Sequence, residues 1–356
     1  MREKTNMKIL LIGEFSGVHN NLKHGLERLG HKVTLLADGD GSRGFKSDFK
    51  ITPFKGKVKG KILSYFYVFS NIRKFIGYDI IQFIHPSHIP YYYFAIRSIL
   101  LRLNQRSVYY VCGTDIAYMR SKDRFEYFPY DKSIKEEYRT YNLFDRIYYN
   151  IFINKIDVII PSMYTYYIGY SANKKTNLPI PLPDSGIISE DLSKTKSKIK
   201  ILYGISRRGF KGAEYILTAL KRIKENYNDQ VDVKIVERLS YTEYLKVLDN
   251  ADILIDQCKS YDYAMNAINA MERGKIVLSG SEDVAMKYLN IQNSAVINIL
   301  PDTNQIENEI IKLINMSPDQ LLELKKQSYR QVKDIHDNNK IAKRFEANYL
   351  KLLSNY

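Results

Sequence analysis

Cysteine is scarce in this chain of 356 residues: Cys112 and Cys258 are the only two, and they lie far apart. A disulfide scaffold and a cysteine-built zinc site are thereby excluded. A reducing compartment is the expectation. Tryptophan is absent, whereas tyrosine is abundant at 30 residues. Long apolar runs are missing too: the stretches at 63–75 and 90–103 are interrupted by Arg73, Lys74 and Arg97, short of the roughly 20 residues a spanning helix requires. The apolar run at 9–13 is about half as long as a signal-peptide core. A cytoplasmic protein that does not cross a membrane is predicted. With 45% apolar and 26% charged residues the composition is globular, which excludes wholesale disorder and fibrous repeats. The length suits about two domains.

Acidic residues are in deficit, 39 against 54 basic ones, for a net charge of +15. The excess is concentrated: residues 41–111 hold 12 basic residues against Asp48 and Asp79 alone. Within that segment Lys55, Lys57, Lys59 and Lys61 run into an aromatic stretch at 62–69, followed by Arg73 and Lys74. Such a mixture suits an interfacial helix beside anionic lipid. Nucleic acid would be attracted as well, and a solvated lysine face over an ordinary core helix is the plain alternative.

Short apolar runs alternate with amphipathic stretches along the first half, the pattern of a parallel sheet wrapped by helices. Strands are predicted at 7–13, 31–36, 79–83, 107–111 and 157–160, with helices at 20–29, 60–76, 87–103 and 143–154. Residues 113–142, polar and rich in Tyr and Arg, read as an irregular insertion. After a proline-broken segment at 177–186 the alternation restarts. Its strands fall at 199–204, 231–236, 252–256, 275–279 and 295–299, with helices from Ala213, Tyr241, Ala264, Glu282 and Thr303 and only helices beyond Pro318. The fold class is therefore α/β, two doubly wound Rossmann-like domains facing across a cleft. The first spans residues 1–180 and the second 198–337, joined by a linker at 181–197 whose prolines stiffen it. Such folds bind ligands at the carboxyl ends of their strands.

Three segments offer chemistry at those ends. Gly13-Glu-Phe-Ser-Gly-Val-His-Asn-Asn follows the first strand and opens a helix, so its amides could face a ligand, with Ser16 and His19 aimed into the cleft. It lacks the dinucleotide fingerprint, and a tight turn is the alternative. The run from Ile201 through Ser206-Arg-Arg-Gly-Phe-Lys-Gly to Ala213 is a strand, a basic glycine-containing loop and a helix. Arg208 and Lys211 would meet a diphosphate with two charges, and the helix start near Gly212 adds free amides. In the third, Asp252-Ile-Leu-Ile-Asp leads through a loop to a short helix closed by Gly274. Asp38-Gly-Asp40 sits in a glycine-rich turn rather than a metal site, and no metal is expected.

Lys211-Gly212 after a domain-opening strand, the Ala-Asp-Ile-Leu-Ile-Asp strand from Ala251 and the Asn269-Ala-Met-Glu-Arg-Gly-Lys-Ile-Val run resemble the retaining GT-B glycosyltransferases of the glycosyltransferase 4-like family, of the bacterial surface-polysaccharide type. The likeness extends over the chain and is specific in residues 199–280. It implies a metal-independent transferase without a cofactor, using a nucleotide sugar, UDP- or GDP-linked, as donor. Arg208 and Lys211 would hold the diphosphate, with Arg207 the alternative arginine. Gly212, Asp262, Tyr263 and Asn269 would complete the donor side. Asn269 and Tyr261 stand where relatives carry glutamates. In the first domain Gly113, Thr114 and Asp115 match residues that face the transferred sugar, although Cys112 replaces the usual histidine. Gly13, Ser16, His19 and His85 complete that acceptor side, near His88.

The resemblance further implies front-face attack by an acceptor hydroxyl with the leaving phosphate taking the proton, domain closure about residues 179–183, and a C-terminal helix, about 338–356, packing back on the first domain. An acceptor carried on a polyprenyl diphosphate or a growing glycan would place the enzyme peripherally on the inner face of the membrane, on an anionic surface met by residues 41–111. No nucleic-acid partner is expected. The alternatives are a catalytically silent subunit of a glycosyltransferase complex, a nucleic-acid-modifying glycosyltransferase and a sugar-nucleotide epimerase.

Overall fold

The computed structural model describes residues 6–130, 142–170, 175–183, 192, 198–205 and 211–354. Two five-stranded sheets, parallel throughout, organise it. In the first half the elements are β1 (Lys8–Ile12), α1 (Val18–Arg28), β2 (Lys32–Leu36), α2 (Lys59–Ser70), β3 (Ile80–Phe83), α3 (Phe94–Arg102), β4 (Arg106–Val111), α4 (Ile116–Arg120), α5 (Leu143–Lys155), β5 (Val158–Pro161) and α6 (Tyr164–Tyr167). The second half has β6 (Ile199–Ile205), α7 (Ala213–Asn226), β7 (Val231–Glu237), α8 (Tyr241–Asp249), β8 (Ile253–Ile255), α9 (Met265–Glu272), β9 (Ile276–Ser279), α10 (Asp283–Tyr288), β10 (Val296–Asn298), α11 (Thr303–Ile314), α12 (Pro318–His336) and α13 (Asn338–Ser354). The sheet orders are β2-β1-β3-β4-β5 and β10-β9-β8-β6-β7.

The central strands are apolar on both sides because each sheet is covered on both faces. Leu10, Ile12, Ile81, Phe83 and Tyr109 pack beneath α2, α3 and α5, while Ile9, Leu11 and Val108 face α1 and α13. The second core continues the first: Leu178, Ile180 and Leu182 join the α1 face to Tyr263, Met265 and Ile268. This crossing segment is pinned from both domains. Tyr110 donates to the carbonyls of Leu178 and Pro179, Asn21 to Pro181, and Leu182 N–H to His336. Bending about 179–183 would therefore break buried hydrogen bonds, a reason against a hinge at those residues. The remainder of the predicted linker, apart from Leu192, lies outside the described residues.

Two predicted helices are shorter than their sequence suggests. Pro86 and Pro90 split the 87–103 stretch into two 3-10 turns and α3, with Ile89 held extended before Pro90. Asn71 closes α2 by bonding the Tyr67 carbonyl. The predicted insertion contains α4, started by Asp115 as its N-cap. α13 returns to the first domain along α1: Asn338 donates to the Asn21 carbonyl and Glu346 meets His31 at 3.0 Å. No helix among the described residues is long and apolar enough to cross a membrane.

Candidate functional site

The carboxyl ends of β1, β3 and β4 converge. Gly13, after β1, has φ +85, and a Cβ there would collide with the His88 ring. Phe15 stands between His85 and His88, with ring centroids 5.6 and 4.6 Å away. His85 Nδ1 accepts the Ser87 N–H at 3.1 Å, so its Nε2 carries the proton and donates to the Thr114 carbonyl at 2.9 Å. The missing side chain of Gly113 leaves room for Phe15 and His85. Thr114 Oγ1 meets the Tyr130 hydroxyl at 2.7 Å. Gly13, His85, Gly113 and Thr114 are thus brought together at one edge.

The other sequence-predicted residues of this domain are used differently. Glu14 turns back on α1 and accepts the N–H groups of His19 and Asn20, so those helix-start amides are not open to a ligand. Its burial raises the carboxyl pKa. Ser16 is held in the loop, its N–H donating to Asp40 and its hydroxyl oxygen accepting from Arg43. His19 is fully buried rather than aimed into the cleft. Its Nδ1 donates to the Gly13 carbonyl and its Nε2 accepts from Gln82, which in turn accepts the Tyr349 hydroxyl of α13. Burial pushes the His19 pKa down to about 3. Asp115, 1% exposed, does not face the cleft either. It caps α4 through the Tyr118 N–H and accepts the hydroxyls of Tyr109, Tyr149 and Tyr170. Asp38 organises the turn before α2 by accepting the N–H groups of Ile51 and Thr52.

Opposite this edge stand the ends of β6, β8 and β9. Arg207 and Arg208 lie outside the described residues. Lys211 and Gly212 have φ of +68 and +80, and the cap of α7 falls on Gly212. A Cβ on Gly212 would overlap Cys258 Sγ, and the Cys258 N–H donates to the Lys211 carbonyl at 3.0 Å. Lys211 Nζ lies 2.7 Å from Asp256 Oδ1, which also accepts from Asn266. Asp256 is 2% exposed, and its Oδ2 has no partner. Asn269 is buried with Oδ1 unpartnered, and its side chain approaches the Tyr241 hydroxyl. An acceptor buried without a donor is costly unless a ligand or water supplies one.

Two residues assigned to the donor are instead structural. Asp262 accepts the N–H groups of Tyr164 and Thr165, capping α6 of the other domain at 3.0 and 2.9 Å. Its burial pushes the carboxyl up to about 6. The Tyr263 hydroxyl meets His336 Nε2 at 3.0 Å within the core. Further contacts fix the two edges face to face: Tyr127 donates to Glu282 at 2.5 Å, Tyr261 accepts the Glu126 N–H, and Tyr288 donates to the Pro161 carbonyl. Phe45 packs on Tyr241 from across the cleft, 5.5 Å between centroids. Phe15, Tyr241 and Asp256 were missed from sequence, although each follows a strand end where such folds bind ligands.

No family model matches the chain, and no curated protein does. Solved structures do. Sucrose-phosphate synthase from Thermosynechococcus elongatus superposes with a TM-score of 0.67 at 14% identity, covering 99% of this chain and 100% of that one. HepE from Anabaena, in complex with UDP-glucose, gives 0.63 at 12% identity over 97% and 100%. UDP-GlcNAc 2-epimerase from Neisseria meningitidis, bound to UDP-GlcNAc, gives 0.55 at 9% identity over 97% and 100%. The chain shares with them the two-domain fold of GT-B glycosyltransferases.

Proposed function

We propose that this chain transfers a sugar from a nucleoside diphosphate donor, with retention, to a hydroxyl of a lipid-linked or polysaccharide acceptor. Two observations in the second domain carry the reading: Lys211 directly before the cap of α7, and the buried, unpartnered Asn269 oxygen on α9, the helix that follows β8. A departing diphosphate needs fixed positive charge and N–H donors. Lys211 and the first amides of α7 supply them, with Arg207 or Arg208 as the second cation. A ribose hydroxyl donating to Asn269 Oδ1 would satisfy that atom. The structures of HepE with UDP-glucose and of the epimerase with UDP-GlcNAc support a UDP-linked donor.

Gly13, His85, Gly113 and Thr114 form the opposing wall against which the transferred sugar and acceptor would lie. The leaving phosphate takes the acceptor proton, so the facing wall needs to orient rather than to deprotonate. Metal is not required where Lys211 and its neighbours offset the charge.

Incubation with UDP-glucose or UDP-GlcNAc, with water as acceptor, tests the reaction class. Slow UDP release with the sugar freed as the α-anomer, seen by proton NMR before mutarotation, is expected. Release of the β-anomer would contradict retention, and absence of release from a folded protein would favour the silent subunit. That second reading draws on Asp256, whose carboxylate lies 2.7 Å from the Lys211 ammonium and competes with a phosphate for it.

A further inference from the structure

α2 leaves its bulky apolar side chains on the outside. Its small residues Gly60, Ser64 and Val68 face the protein. On the opposite side Val58, Ile62, Phe66 and Phe69, spaced i, i+4, i+8 and i+11, form an apolar stripe on solvent. Phe66 is 60% and Val58 69% exposed. Lys55, Lys57, Lys59 and Lys61 are exposed around the start of this stripe, and Arg73 and Lys74 are exposed beyond its end.

The apolar surface continues beyond the helix. Lys61 lies over the Tyr92 ring, and Tyr65 packs on Tyr93 at the head of α3. Phe94, 45% exposed, touches Tyr148 of α5. One and four residues before Tyr148, Ile147 and Phe144 are 48% and 80% exposed. A contiguous apolar face on a monomer, rimmed by one sign of charge, marks an interaction surface.

We infer that α2, with the exposed ends of α3 and α5, is an insertion face that seats this domain on an anionic bilayer. Charge selects the partner: the exposed Lys55, Lys57, Lys59, Lys61, Arg73 and Lys74 rim the stripe, with no acidic residue between 55 and 74, and complement anionic headgroups. An apolar, aromatic stripe flanked by lysines and arginines is the composition of a helix that lies in the headgroup plane. Nucleic acid would leave that stripe in water. Helices of a parallel layer run back against their strands, so α2, α3 and α5 all start at the strand ends that carry Gly13, His85 and Gly113. Seated this way, the first domain places that edge close to the lipid surface. The inference deepens the proposed function, resting on it only for the claim that the acceptor is lipid-borne.

The absence of tryptophan makes the test specific. Phe66→Trp gives a single reporter on the stripe, and Tyr227→Trp gives one on the second domain. Each is mixed with vesicles of phosphatidylcholine alone or with phosphatidylglycerol. The Phe66→Trp emission is expected to shift to the blue with anionic vesicles and to be quenched by brominated acyl chains, while Tyr227→Trp stays unchanged. In flotation, Phe66→Ser with Phe69→Ser, and separately the four lysines changed to Gln, are each expected to lower vesicle binding about tenfold or more. UDP affinity in solution is measured on the same variants. Unchanged UDP binding beside lost flotation supports the face, and failure of UDP binding in the wild type counts against the donor reading alone. Adsorption without a blue shift, flotation indifferent to the Phe variants, or duplex DNA binding in place of vesicle binding would overturn the insertion.

Discussion

Lys211 is ion-paired with an almost entirely buried partner, Asp256, which makes the pair a test of the loop's construction. Asp256→Asn keeps the shape and removes the charge. It is expected to destabilise the protein by about 1–3 kcal/mol, read as a fall in the urea midpoint, because Lys211 is then left beside a neutral amide. Gly212 is constrained from two directions, by φ +80 and by Cys258 Sγ. Gly212→Ala should cost about 2–4 kcal/mol from the left-handed backbone and the overlap together. Adding Cys258→Ala should recover the overlap share, which a double-mutant cycle measures.

At the scale of elements, histidine burial gives the fold a pH dependence. His19, His88 and His336 are held neutral by burial, their pKa values pushed down to about 3, 3 and 4. An unfolded chain takes up protons on these rings near pH 6.5, whereas the folded chain does not until far lower. Stability is therefore full above about pH 6.5 and is lost as pH falls towards 4. His19→Gln, which can still serve the Gly13 carbonyl, should reduce that slope by about 1.4 kcal/mol per pH unit. Thermal unfolding from pH 7 to 4.5 checks it. The strands were legible from the sequence because burial on both sheet faces leaves continuous runs such as those of β1, β4 and β6. Helix ends were less so, since Pro86 and Pro90 act through local backbone geometry. The roles of Asp115 and Asp262 were illegible: their partners are Tyr149 and Tyr170 for the first, and Tyr164 for the second, 98 residues away. A carboxylate after a strand reads equally as ligand-facing or as a cap.

For the whole molecule, the placement of one domain on the other rests on polar contacts as well as the shared core. Asp262 is the most exacting of them, because both its oxygens serve amides of the opposite domain. Asp262→Ala should speed hydrogen exchange at Tyr164 and Thr165 by about tenfold or more, equivalent to about 1.4 kcal/mol or more. Since burial raises the Asp262 carboxyl to about 6, the folded chain keeps a proton there that the unfolded chain gives up nearer pH 4. Its contribution is fully present at low pH and falls as pH rises through 6, opposite in sign to the histidines. The buried Glu14 carboxyl, raised in the same direction, acts with Asp262, and three histidines outweigh these two carboxyls, so the net expectation is acid destabilisation.

The central claim is a nucleoside diphosphate site at the start of α7. Isothermal titration of UDP into the protein and into its Lys211→Ala variant tests it most directly. Saturable binding to the wild type is expected, with about tenfold or greater weakening in the variant, the loss that follows when a charge-assisted contact to phosphate is removed. A folded wild type that binds neither UDP, GDP nor ADP, or equal affinity in both proteins, would contradict it.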